Sequence, residues 1–210
     1  MSAKRLIAAS LMLASVCVLA ASCYYVLRQP HEHAPHDPRL VALERTLLTV
    51  SGQERLHLPA LVAADGKTVA SDLLLGRWSV VFLGFASCPD VCPTTLQLLG
   101  AVARDPASGV AAGTTQILFV SIDPERDTPE RMRAYLERFG GGILGLTGSR
   151  EAIDGFTTEL GGAYRASASG IDHSTSLFVV DPKGHPAGIL LRPADPARIV
   201  ADLAALRAGG

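Results

Sequence analysis

Cys88 and Cys92 stand in the segment Phe85-Ala86-Ser87-Cys88-Pro89-Asp90-Val91-Cys92-Pro93-Thr94-Thr95. Three residues separate the thiols, where a dithiol oxidoreductase motif has two. Two soft sulfur donors held close together, with an imidazole later in the chain, suit a copper ion. The candidate imidazole is His173, in Gly170-Ile171-Asp172-His173-Ser174-Thr175. Two thiolates and one imidazole make a three-coordinate set. That set suits Cu(I), and Cu(II) takes the same donors with one further ligand or a water. Spacing alone leaves plainer readings open. A cysteine pair outside the membrane also forms structural disulfides, and a histidine before a strand is often only a hydrogen-bonded surface residue.

A strand, a turn and a helix must position the thiols. Trp78 to Phe85 is a continuous apolar run of the kind that forms a central strand covered on both faces. Pro93 to Ala103 shows helical spacing through Leu96, Leu99 and Val102, with Pro93 suited to the first helical position. Cys92 immediately before that helix would feel the positive end of its dipole, so a lowered thiol pKa is expected. Gln116 to Ile122 reads as a second central strand. Thr128 caps a second helix that begins at Pro129, carries Met132, Tyr135, Leu136 and Phe139 on one stripe, and stops at Gly140-Gly141-Gly142. Asp123 and Asp127, just before it, either cap the helix and brace this loop or tune the metal site or meet a partner protein. Asp172 either orients the His173 ring or faces solvent.

The remaining pattern is a short β segment over 56–61 and 67–74 with a turn around Asp65-Gly66, a helix over 151–160, a hairpin of strands 176–180 and 187–191, and a last helix over 196–206. Strand–helix alternation followed by a hairpin and a helix predicts an α/β domain, a central sheet flanked by helices.

Leu6 to Leu27 is an uncharged run long enough to cross a bilayer as a helix. Lys4 and Arg5 before it place the N-terminus in the cytoplasm and the domain on the far side, with Tyr24 and Tyr25 near the outer boundary. A cleaved signal peptide, or lipidation at Cys23 after Ala20-Ala21-Ser22, would export the domain equally. The apolar run continues past Cys23, which favours an uncleaved anchor holding Cys17 and Cys23. The expected organisation is an anchor over 1–28, a His/Pro-rich linker over 29–42 and one domain over 43–210. His31, His33 and His36 of the linker either capture metal weakly or belong to a solvated spacer. Of the 210 residues 48% are hydrophobic, 5% are aromatic and the net charge is -1, which supports one apolar core and argues against nucleic-acid binding. Beyond the membrane the thiols must cycle with a disulfide or be guarded by a metal.

Three segments, in order, carry a family resemblance. Phe82-Leu83-Gly84-Phe85-Ala86-Ser87 running into the cysteine segment is the first. Ser121-Ile122-Asp123-Pro124-Glu125-Arg126-Asp127-Thr128-Pro129-Glu130 is the second. Asp172-His173-Ser174 followed by Leu177-Phe178-Val179-Val180-Asp181-Pro182-Lys183-Gly184 is the third. Together they resemble the Sco (SenC-type) copper proteins over roughly Leu43 to Leu206. The resemblance implies a thioredoxin-like fold with a central mixed sheet on a single N-terminal transmembrane helix. It implies copper held by Cys88, Cys92 and His173 and delivered to the dinuclear copper centre of cytochrome c oxidase subunit II. An upstream copper donor and a thiol reductant are implied partners, and a bacterial-type inner membrane with the domain in the periplasm is the implied location. Phe85-Ala86-Ser87 departs from the more usual Tyr-Thr-His, and Arg165 to Gly170 is smaller and more polar than in many members. Both departures bear on access and partner preference.

The expected function is a metallochaperone rather than an enzyme, with no covalent chemistry on a substrate. The alternative is a membrane-anchored periplasmic thiol–disulfide oxidoreductase that keeps the oxidase copper-site cysteines reduced, with Cys88 and Cys92 as its redox pair. Its weakness is the three-residue spacing. A peroxidase wants a threonine three residues before the reactive cysteine, and Pro89 and Phe85 hold those places.

Overall fold

In a computed structural model that describes residues 47–50, 52–167, 170–173 and 175–209, the two apolar runs become neighbours. The expected anchor over 1–28, the linker over 29–42, Cys17, Cys23, His31, His33 and His36 lie outside the described residues. Among the described residues no helix is long and apolar enough to cross a membrane.

Strand β3 (Trp78–Gly84) and strand β4 (Thr115–Ser121) pair in parallel, Trp78 opposite Thr115 and Gly84 opposite Ser121. Every residue of β4 is buried, as a strand covered on both faces requires. A parallel pair needs a crossover, and helix α1 (Val91–Arg104) supplies it. Strands β8 (Leu177–Val180) and β9 (Pro186–Leu190) form the expected hairpin, with β8 antiparallel to β3. The sheet is completed by β1 (Leu47–Thr49), β2 (Leu61–Ala63) and β5 (Ile143–Gly148). Its order is β1-β9-β8-β3-β4-β5-β2, with parallel and antiparallel neighbours mixed. Strands β6 (Tyr164–Ser167) and β7 (Gly170–His173) pair with each other as a separate two-stranded sheet.

Helix α2 (Pro129–Leu136) starts as expected: Pro129 is first and the Thr128 hydroxyl accepts the Arg131 N–H at 3.3 Å. Helix α3 (Arg150–Glu159) is capped in the same way by Ser149, and α4 (Pro196–Gly209) closes the chain. Register assigns α1 and α2 to one face. Phe82, Phe119 and Gly145 share a row across β3, β4 and β5. A Cβ on Gly84, two residues along from Phe82, would meet Cys92 of α1, and one on Gly145 would meet Leu136 and Met132 of α2.

Among the described residues β1, β5 and the β6–β7 hairpin were not anticipated, and β1 is only three residues long. Strand β5 is interrupted by Gly145, which breaks the apolar pattern. A Cβ there would come within 2.6 Å of Leu136 Cδ1, so the Leu136 side chain would have to shift to admit it. The β6–β7 hairpin is short and mostly small or polar, so it carries little period-two signal.

Candidate metal centre

The cysteine loop begins where β3 runs out of sheet. The Gly84 carbonyl accepts the Ile122 N–H at 2.9 Å, so the ends of β3 and β4 stay together. The chain then turns, with the Cys88 N–H donating to the Phe85 carbonyl at 3.2 Å. Cys88 accepts on Sγ from the Cys92 N–H at 3.4 Å. Both cysteines are free thiols. Cys92 is not ahead of the helix, as expected, but its second residue. The helix starts at Val91, which puts Pro93 in its third position.

His173 arrives on β7, opposite Tyr164 of β6. Its Nε2 lies 3.4 Å from Cys92 Sγ. The donor atoms of Cys88, Cys92 and His173 all lie within 4.8 Å of one another. The imidazole meets the Phe85 ring edge-on at 5.6 Å between centroids and the Phe82 ring, tilted, at 6.2 Å. These two rings form an apolar wall behind a soft donor set. The side chain of Asp172, a candidate partner for the imidazole, lies outside the description.

Gly84 is a further residue of the site. A Cβ there would sit 2.9 Å from Cys92 Sγ and 2.8 Å from a Phe119 ring carbon. Only hydrogen leaves room for the sulfur against the sheet. The signal was a glycine near the end of an otherwise apolar strand, a position where close approach of another group is a standing explanation.

Burial reverses one expectation. Cys92 is fully buried and Cys88 nearly so. Removal from water pushes the Cys92 thiol well above its ordinary range, against the lowering influence of the Phe85 backbone N–H. Desolvation therefore outweighs the helix dipole, and the metal-free thiol keeps its proton. A cation held by these donors would supply the missing countercharge and take the place of that proton.

Asp127 braces the cysteine loop. Its carboxylate is fully buried and accepts the Ala86 N–H at 2.8 Å and the Ser121 hydroxyl at 2.7 Å on Oδ2. Arg131 Nε stands 3.6 Å from its other oxygen. Asp123 pairs at its own position with Arg126 at 2.8 Å, and its backbone carbonyl turns the loop by accepting the Asp127 N–H at 2.9 Å. Thr128, not Asp127, is the helix cap. Of the two readings of Asp127, bracing is the one the contacts carry.

A groove of about 750 Å³ lies elsewhere, lined by Trp78 at the start of β3 and by Lys183, His185 and Arg207. None of the three donors lines it. The arrangement at the donors suits ligand exchange on a soft ion rather than enclosure of an organic substrate.

The sequence model of the SCO1/SenC family matches residues 59–208. The human mitochondrial protein SCO1 homolog is 35% identical over 135 residues, which are 60% of this chain and 44% of the human one. The solved ScoI of Arabidopsis thaliana, with copper bound, is 26% identical at a TM-score of 0.66, covering 76% of this chain and all of that one. ScoI of Bradyrhizobium japonicum, also with copper bound, is 30% identical at a TM-score of 0.64, covering 72% of this chain and 99% of that one. This chain thus spans less than half the length of its human relative.

Proposed function

We propose that this chain, which belongs to the SCO1/SenC family, is a copper carrier that holds the ion on Cys88, Cys92 and His173 and hands it on by ligand exchange. The observation that carries the reading is the convergence of two sulfurs and one imidazole nitrogen, from elements far apart in sequence, within 4.8 Å. Two relatives of the same fold were solved with copper bound. The donor chemistry fits: two thiolates and an imidazole satisfy Cu(I), and Cu(II) uses them with one more ligand. No bond of a substrate is made or broken in such a role, so carrying copper needs no catalysis.

The family includes cytochrome c oxidase assembly proteins. The proposed recipient is the dinuclear copper centre of oxidase subunit II, with an upstream copper donor and a thiol reductant completing the cycle. The apolar run over 6–27 would anchor the chain in an inner membrane with the domain in the periplasm, beside that recipient.

In the test, the full-length reduced chain is titrated with copper in competition with a chromophoric chelator. The wild type takes up one ion, and His173→Ala weakens binding by at least about a hundredfold, since loss of a donor costs no less than loss of a group that only supports one. Equal affinity in the two proteins would remove His173 from the site.

A second role rests on the same two thiols. Their sulfurs are free and within 4.8 Å of each other, so a disulfide needs only local rearrangement of the loop. Reduction of an oxidase-subunit disulfide by copper-free protein, lost in Cys88→Ser, would support a thiol–disulfide oxidoreductase function beside the carrier role.

A further inference from the structure

The cysteines lie on the turn and helix that follow β3 of the large sheet, whereas His173 lies on the small sheet, and one guanidinium joins the two regions. Arg150, the first residue of α3, directs its Nε and Nη2 to the two carboxylate oxygens of Glu125, the Nε contact at 2.9 Å. Its Nη1 donates to the Ile122 carbonyl at 3.0 Å and to the Tyr164 hydroxyl. That hydroxyl donates in turn to Asp154 of α3. The guanidinium carbon also lies 5.7 Å from the centre of the Tyr164 ring. Glu125 belongs to the loop whose other end, Asp127, holds the Ala86 N–H of the cysteine turn. Tyr164 is the register partner of His173. A path therefore runs from the cysteine turn to Asp127, along two residues of backbone to Glu125, and through Arg150 and Tyr164 to the strand pair that presents the imidazole.

We propose that Arg150, with Glu125 and Tyr164, is a clasp that keeps the β6–β7 hairpin closed on the cysteine loop, and so sets how long His173 remains on the bound ion. The proposal rests on the copper-carrier reading. Arg150 is a positioning residue, since it touches none of the three donors. The geometry is the kind that makes an ion pair matter: both oxygens of one carboxylate are engaged by one rigid fork, and the remaining nitrogen binds two further groups. An isolated surface pair would contribute little. The guanidinium also holds the Glu125 carboxyl below its ordinary range. The clasp is accessible, because the Glu125 side chain is 60% exposed and that of Arg150 33%. Salt, or an anionic group on a docking protein, can therefore reach it. The buried thiols lack that access, so the histidine end is where handover would begin.

The experiment follows copper loss from the full-length Cu(I)-loaded chain to bicinchoninate. Glu125→Gln and Tyr164→Phe should each release copper about tenfold faster than wild type, with the metal-free unfolding midpoint unchanged. Wild-type release should also accelerate as sodium perchlorate, whose anion does not bind Cu(I), rises from about 0.05 to 1 M, where screening shortens to a few ångströms. Glu125→Gln, which leaves Arg150 only its looser pair with Asp154 at 4.0 Å, should give a much weaker salt response. A loaded wild type whose release rate and salt response match those of both variants overturns the clasp alone. Faster release that merely tracks a lower unfolding midpoint overturns it too. A wild type that takes up no copper removes the carrier reading, and the clasp with it.

Discussion

The cysteine loop and the histidine hairpin contribute to one centre but are built in opposite ways. Cys92 lies inside a helix, fully buried, its sulfur seated where Gly84 has no side chain. The turn before it is tied by Asp127 to the end of β4. His173 lies on a two-stranded sheet of its own, and its ring is partly exposed and supported by Phe82 and Phe85. One half is fixed by packing, whereas the other is held by ring contacts and a clasp open to solvent. A carrier has to bind an ion firmly and still let it go. A rigid pair of sulfurs with a releasable nitrogen meets both needs, since losing one ligand lowers the barrier to exchange without unfolding the domain.

The largest expected effect on stability is on the fixed half. Asp127→Ala leaves the Ala86 N–H and the Ser121 hydroxyl without their buried acceptor, at about 1–3 kcal/mol per orphaned group. Relief of the buried charge offsets part of this, so urea unfolding of the metal-free chain should show a net loss of about 2–4 kcal/mol. His173→Ala should leave the metal-free midpoint nearly where it was. Equal losses for the two variants would erase the contrast between the halves.

A pH series sharpens it further. The Cys92 thiol is raised in the folded state, so the stability this contributes is fully present below the unfolded thiol pKa of about 8.5. It is lost as pH climbs from there towards the folded value, because the unfolded chain releases a proton that the native chain retains. The metal-free wild type should therefore lose about 1.4 kcal/mol per pH unit above roughly pH 9, relative to Cys92→Ala. Copper loading removes this slope, since the sulfur is then deprotonated in the native state. Parallel pH curves for wild type and Cys92→Ala would show that burial does not hold the proton.

The smallest effect is a control on neither half. Thr128→Ala removes the cap of α2 and should cost about 1 kcal/mol by the same urea measurement, with copper affinity unaltered. A change in affinity would mean that the cap region couples to the centre, and that the cysteine side is less self-contained than its packing indicates.

Much of the frame was legible in the residues. The apolar runs became β3 and β4, Thr128-Pro129 opened α2, and the turn at Asp181 to Gly184 joined β8 to β9, because strand burial, capping and turn chemistry are local and leave local marks. Cys88, Cys92 and His173 were legible as a chemical set for a related reason: few side chains offer soft donors, and the family motifs added weight to the histidine already singled out before β8. The small-residue hairpin and the glycine-broken β5 left no comparable mark.

Sequence by itself determined the kinds of donor, the order of the main elements and the family. It did not determine the protonation of Cys92, where a dipole argument pointed one way and burial in the folded chain decides the other. Only tertiary structure set the sulfur–imidazole approach, the need for hydrogen at Gly84, and the path from Asp127 through Arg150 to Tyr164. Each of these depends on distances between segments remote in sequence. Burial and through-space contact are properties of the packed chain, and no local pattern of residues encodes them.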